Sequence, residues 1–345
     1  SSYSLSNIRY STDTETQFPN SEDDSAPALL EGLITDGSRG MYRVETETSV
    51  YTCTIRGRLR KELTYAESRS ARKSVRDVKV KPHDPVAVGD RVRILPTGGD
   101  AGVIEQIVAR AGGAFTRRDP DPKLGELTTI AGLDQMIFVF ATREPEPHLG
   151  LLDRFLVVAE AQYTAAVICV TKVDLGIPPD LEERLAVYAA LGYPLLHTSI
   201  ATSAGIPALR QALAGHTSAL LGKSGVGKSS LLNAVEPGLG QRVSAVSQST
   251  GKGRHTTTGT RLVRLSGPGG GYIADTAGIR ALGLTRETLR GLDECFREFR
   301  PYLGACDLSD CTHTHEADCA IRAAVDAGML DAARYESYCR LREEG

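Results

Sequence analysis

The 345-residue sequence predicts a multidomain protein of mixed β and α/β class: a small barrel, a larger α/β domain and a short helical domain held by metal. Three observations point there. Residues 27–115 fall into short strand-like runs. Strands then alternate with helices from about residue 130 to Ala274. Beyond Ile279 the strands stop, and Cys306, Cys311, His313 and Cys319 cluster between two helical stretches.

The barrel expectation rests on Glu31–Thr35, Met41–Glu45, Ser49–Ile55, Val86–Leu95 and Gly102–Arg110, with a kink or turn at Gly89-Asp90. Five strands in this length suit an OB-fold, placed at 27–118. Between the third and fourth strands, Arg56 to Lys81 carries ten basic residues against Glu62, Glu67 and Asp77. That excess suits an RNA backbone, and equally a solvated loop. Ahead of the barrel, residues 1–26 are rich in Ser, Thr, Asp and Glu and are expected to be disordered. They are not Arg-rich and acid-poor like an organelle-targeting peptide, so cytoplasm is the default location.

In the second domain, placed at 119–284, strands are expected at Met136–Ala141, Ala165–Val170, Leu195–Thr198, Ser218–Leu221, Thr260–Leu265 and Gly271–Ala274. Helices are expected at Leu149–Glu160, Pro179–Ala190 and Ile206–Leu213. This alternation implies a mainly parallel sheet whose ligands sit at the carboxyl ends of the strands. In the third domain, 285–345, helices are expected at Arg286–Arg300 and Ala320–Arg340. No apolar run approaches the ~20 residues needed to cross a bilayer. With 41% hydrophobic and 24% charged residues and a net charge of −3, the composition is that of an ordinary globular chain.

The motifs give the second domain its chemistry. Gly222-Lys223-Ser224-Gly225-Val226-Gly227-Lys228-Ser229, followed by Ser230, fits the phosphate-loop pattern G-x-x-x-x-G-K-[ST]. Its glycines let backbone N–H groups turn toward phosphate oxygens, Lys228 reaches the β/γ-phosphates and the Ser229 hydroxyl suits Mg²⁺. Thr171-Lys172-Val173-Asp174, straight after a strand, is similar to the guanine-reading N/T-K-x-D element of GTPases. A carboxylate at Asp174 can accept from guanine N1–H and the N2 amine together, a pair of donors that adenine lacks. The Lys172 stem can cover the base. Ser199, after the next strand, sits where a GTPase supports guanine O6. Asp275-Thr276-Ala277-Gly278 offers an Asp that holds Mg²⁺ through water and a Gly278 N–H that senses the γ-phosphate. Gly253-Arg254-His255-Thr256-Thr257-Thr258 suits a mobile loop whose threonines, Thr257 the candidate, approach Mg²⁺. In Ras-like enzymes the phosphate loop precedes the base element. Here it follows about fifty residues later, so the expected fold is a circularly permuted Ras-like P-loop domain.

Three thiolates and one imidazole, Cys306, Cys311, His313 and Cys319, form the donor set of a closed structural zinc site, with His315 the rival to His313. A domain this small has little core of its own, so zinc is expected to stabilise it. An ATP-using P-loop enzyme and a nucleotide-silent RNA adaptor compete with the GTPase reading. Asp174 speaks against the first; Lys228, Ser229 and Asp275 speak against the second.

These motifs in this order, with Leu152-Asp153-Arg154-Phe155-Leu156 ahead of the base element, resemble the RsgA/YjeQ family of circularly permuted GTPases, from about residue 30 to the end. The resemblance implies an OB-fold, a permuted GTPase domain and a helical zinc-binding domain. It implies GTP hydrolysis to GDP and phosphate, stimulated by the small ribosomal subunit during late maturation, with ribosomal RNA as the contacted surface, Mg²⁺ accompanying GTP, and one zinc per chain. A monomer is expected. Two positions stand out. Thr171 occupies the place where the family usually has Asn, and its shorter side chain is expected to tether the phosphate loop less firmly. Ile279 follows Gly278 where Ras-like enzymes carry a water-orienting Gln, a lack the family shares, which makes His255 the catalytic candidate by chemistry, with an RNA-contacting or solvated residue the equal alternative.

Overall fold

The computed structural model describes residues 28–38, 40–57, 86–108, 113–118, 126–249, 261–274, 284 and 286–344. The acidic tail, nearly all of the basic stretch after Arg56, the 253–258 loop with His255 and Thr257, and Asp275, Gly278 and Ile279 lie outside the described residues.

The first domain is a closed barrel of β1 (Leu30–Ser38), β2 (Met41–Glu45), β3 (Val50–Ile55), β4 (Arg91–Gly98) and β5 (Ala101–Ile107), in the order β1-β2-β3-β5-β4. All pairs are antiparallel except β3 with β5, and β1 closes the barrel against β4. Alternating residues point inward, so Ile34, Val44, Cys53, Val92, Ile94 and Ile104 are fully buried. The expected strand from Val86 begins only at Arg91, because residues 86–90 form a turn closed by the Asp90 carboxylate, which accepts from the Ala87 N–H at 2.8 Å. At Gly89 (φ +92) a Cβ would sit 1.9 Å from the Ala131 carbonyl oxygen, and only glycine permits this close docking of barrel on its neighbour.

A hairpin missed by the pattern reading follows, β6 (Gly113–Arg118) with β7 (Glu126–Leu133), and it straddles the expected boundary at 118/119. The second sheet comprises β8 (Gln135–Ala141), β9 (Ala165–Thr171), β10 (Leu195–His197), β11 (Thr217–Leu221), β12 (Leu262–Arg264) and β13 (Tyr272–Ala274). Its order is β10-β9-β8-β11-β13-β12, parallel throughout except for the edge pair β12–β13. Central strands buried on both faces read as apolar runs, as β8 and β9 do. Helices α1 (Leu149–Ala161) and α2 (Pro179–Ala190) cover one face. Helices α3 (Ile206–Leu213), α4 (Lys228–Val235) and α5 (Leu239–Ser249) cover the other. Their buried positions follow the helical repeat, as at Leu181, Leu185 and Tyr188 of α2 or Ile206, Leu209 and Leu213 of α3.

The C-terminal domain departs from the two long helices expected. The first ends early, as α6 (Arg286–Arg290), and a 3₁₀ turn at Arg297–Tyr302 follows after a break at Gly291. The second divides into α7 (Ala320–Asp326) and α8 (Ala332–Glu343). Gly328 (φ +70) ends α7, and the Asp331 side chain starts α8 by accepting from the Arg334 N–H at 2.8 Å. Breaking the helices lets Phe296, Phe299 and Tyr338 meet in one aromatic core, with ring centroids 5.0–5.4 Å apart.

A candidate nucleotide site and metal centre

The parallel sheet places the loops after β8, β9, β10 and β11 along one edge. The phosphate loop connects β11 to α4. Gly222, Gly225 and Gly227 have φ of +148°, +84° and +98°. At Gly222 a Cβ would lie 2.1 Å from the Val139 carbonyl oxygen, so the loop can enter beside β8 only without a side chain. Val226 is buried in the core that holds Leu231 and Leu232 of α4, which pins the outer end of the loop. Lys228 donates to the Gly222 and Lys223 carbonyls at 2.7 and 2.8 Å, so its ammonium lies against the loop. Ser229 and Ser230 occupy the first turn of α4, whose N-terminal dipole favours an anion there. The Ser229 hydroxyl is 3.3 Å from that of Ser244 in α5, a helix the sequence reading omitted.

The base element lies directly beside this loop. Thr171, buried at the end of β9, donates its hydroxyl to the Val226 carbonyl at 2.8 Å. Thr171 therefore tethers the two motifs through this one hydroxyl bond. Lys172 takes a left-handed conformation (φ 58°, ψ 34°), and its ammonium is bonded to the Glu144 carbonyl. Val173 donates its N–H to the Thr198 carbonyl at 3.3 Å, joining the element to the end of β10. The exposed Asp174 accepts from Ser199 at 2.5 Å, and Ser199 is itself buried and takes the Thr202 N–H on its hydroxyl at 3.2 Å. The Asp174 carboxylate is thus aimed from behind by Ser199. Among the described residues the structure brings Thr171 to Asp174, Ser199 and Gly222 to Ser230 to one sheet edge.

The second cluster is in the C-terminal domain. One ligand atom from each of Cys306, Cys311, His313 and Cys319 lies within 4.8 Å of the others. The His313 Nδ1 is 3.5 Å from the Cys306 sulfur and 3.4 Å from the Cys319 sulfur, distances natural to neighbouring ligands of one tetrahedral ion. Burial, with the neighbouring thiols of Cys319 and Cys306, pushes the Cys311 thiol up to about 12. The residues fit zinc. His315 is turned outward, its side chain 80% exposed, and takes no part. His313 sits at φ +61°, held there by Tyr335, whose hydroxyl donates to the His313 carbonyl at 2.8 Å, and its Nε2 faces Asp293 at 3.6 Å. Burial opposes charge on Glu316, but the Thr312 hydroxyl and N–H, with further loop N–H groups, hold its carboxyl well below the usual range. Sequence reading missed Asp293, Tyr335 and Glu316, since nothing in their spacing to the cysteines marks them.

The family model described as RsgA GTPase matches residues 113–285. The chain is 43% identical over 316 residues to the small ribosomal subunit biogenesis GTPase RsgA of Gemmatimonas aurantiaca, covering 91% of this chain and 96% of the relative. It is 38% identical to the protein of the same name from Moorella thermoacetica, over 90% and 95% of the two chains. Among solved structures it is similar to YjeQ from Thermotoga maritima (TM-score 0.68, 30% identity, 92% and 98% covered). It is also similar to YloQ, a circularly permuted GTPase (TM-score 0.63, 26% identity, 94% and 97% covered). With a phosphate loop and a guanine-type element joined in permuted order on one sheet edge, the chain belongs to the RsgA GTPase family and is a GTP hydrolase.

Proposed function

We propose that this protein hydrolyses GTP to GDP and phosphate on the small ribosomal subunit during late maturation, as a cytoplasmic monomer. The observation that carries the reading is the Thr171–Val226 hydrogen bond, which joins two motifs far apart in the chain and supports a single guanine-nucleotide site. The names of the relatives supply the subunit. Lys228, Ser229 and the loop N–H groups bind the phosphates, while Asp174, Lys172 and Ser199 hold the base. Ser229, and Asp275 through water, would hold Mg²⁺, which would neutralise phosphate charge. Zinc, one per chain on Cys306, Cys311, His313 and Cys319, keeps the C-terminal domain folded. Gly278 senses the γ-phosphate, Thr257 closes on the metal side, and His255 orients the attacking water. The switch loops then drive the barrel and the zinc domain on and off ribosomal RNA.

GTP turnover with and without purified small ribosomal subunits tests the reaction and the partner together. Strong stimulation is expected, and turnover indifferent to the subunit would remove the partner. For the switch, subunit affinity measured with a non-hydrolysable GTP analogue should exceed that with GDP. Equal affinities would end the clamp reading.

A further inference from the structure

Motif matching confines the base element to Thr171–Asp174, yet both ends of Lys172 are held by the segment that follows β8. Thr142 is 1% exposed. Its hydroxyl donates to the Lys172 carbonyl at 3.0 Å, and its N–H donates to the Thr171 carbonyl at 3.0 Å. Two residues on, the Glu144 carbonyl accepts the Lys172 ammonium. The Lys172 carbonyl also takes the Leu175 N–H at 3.0 Å, the bond that closes the turn carrying Asp174. A lysine with φ of 58° persists only where its surroundings hold it. The Thr142 N–H already continues the β8–β9 ladder, so the hydroxyl is not needed to finish the strand. Its one recorded bond goes to the turn that presents Asp174.

We infer that Thr142 is a positioning residue for guanine recognition: by fixing the Lys172 carbonyl it sets the turn from which Asp174 meets the base and the Lys172 stem covers it. This rests on reading Asp174 as the guanine-reading carboxylate. Replacing the hydroxyl by a methyl leaves the carbonyl one bond short, which is worth roughly fivefold in affinity, felt most by the base that Asp174 reads through two donors.

The test measures binding of GDP and of inosine diphosphate, which lacks the N2 amine, to the full chain. For Thr142→Val, GDP should weaken roughly fivefold and inosine diphosphate less, so that preference between them shrinks, while Thr142→Ser restores it. An unchanged preference, or an equal loss for both nucleotides, would overturn the inference, since a merely structural role moves both alike. Should Thr142→Val fail to fold, Thr142→Ser against Thr142→Cys makes the same comparison, a good donor against a poor one of like shape. Asp174→Asn in the same assay separates the two ideas. If it keeps the preference for GDP, the base reading fails; if it loses the preference and Thr142→Val does not, only the role of Thr142 fails.

Discussion

Thr171 shows how one side chain replaces another by a different route. An Asn would reach the phosphate loop with an amide; the threonine hydroxyl reaches the Val226 carbonyl at 2.8 Å because β9 ends close against the loop. The bond is buried, so losing the donor leaves a carbonyl unsatisfied at the seam between the two motifs. Thr171→Val is expected to weaken GDP and GTP binding by about tenfold each, and Thr171→Ser to restore most of it, read by nucleotide titration. Equal losses are expected because the seam lies between base and phosphate loop and does not touch the γ-phosphate. The chemistry of Lys228, Ser229, Asp174 and the cysteines was legible one residue at a time, since phosphate, guanine and zinc each demand particular donors. Thr142 and Asp293 act through other residues, and a sequence marks no such second partner.

At the scale of elements, α1 and α8 are the informative pair. Asp153 of α1, part of the Leu152–Leu156 run, is turned toward α2 and α8. It is buried, accepts from the Tyr188 hydroxyl at 2.7 Å, from Arg334 of α8 at 2.6 Å, and from Ser337. Arg334 is fully buried, pairs also with Glu298 at 2.7 Å, and lies over the Phe296 ring at 4.6 Å. Burial works against its charge, but Asp153 and Glu298 outweigh that and hold its pKa above the ordinary value. Arg184 of α2 binds Asp331 through both carboxylate oxygens at 2.7 Å, and Glu160 takes Arg297 and Arg300 at 2.7 Å each. The C-terminal domain is therefore bolted to α1 and α2, the helices of the base-reading half. Breaking a buried ion network strands charges in the interior. Arg334→Met is expected to cost about 3–5 kcal/mol, measured as a lowered denaturation midpoint, and adding Asp153→Asn should recover part of that loss. The helix lengths of α2 and α3 were legible from their periodicity. The splits at Gly291 and Ala327–Asp331 were not, because packing of Phe296, Phe299 and Tyr338 decides where those helices stop.

For the molecule as a whole, the two outer domains are attached differently. The barrel meets the edge of the second sheet where Asp36 of β1 and Arg261 pair both by backbone bridge and by ion pair, with Tyr272 of β13 donating to Glu45 at 3.3 Å. The C-terminal domain carries its own core around Phe296 and Phe299, shared with Val157 of α1. Stripping metal with a strong chelator should release one zinc per chain and lower the thermal transition of the intact protein, followed by metal-release assay and calorimetry. Cys311→Ser should show the same lowered transition without chelator. A chain that releases no zinc, or whose transition ignores the chelator, would contradict the assignment.

Read alone, the sequence was informative locally: it marks residues whose donors suit phosphate, guanine and zinc, and stretches that repeat every two residues or every 3.6. It also held the order of the motifs, and that order implied permutation. Tertiary structure alone decided that the order does not matter at the site. A parallel sheet sets β9, β8 and β11 side by side, so their carboxyl-end loops converge wherever the chain begins. The same nonlocal packing chose the Thr171–Val226 bond, the buried place of Arg334 and the contact of Thr142 with Lys172. Partners so far apart in sequence are selected by the burial of whole faces, and no spacing along the chain records them.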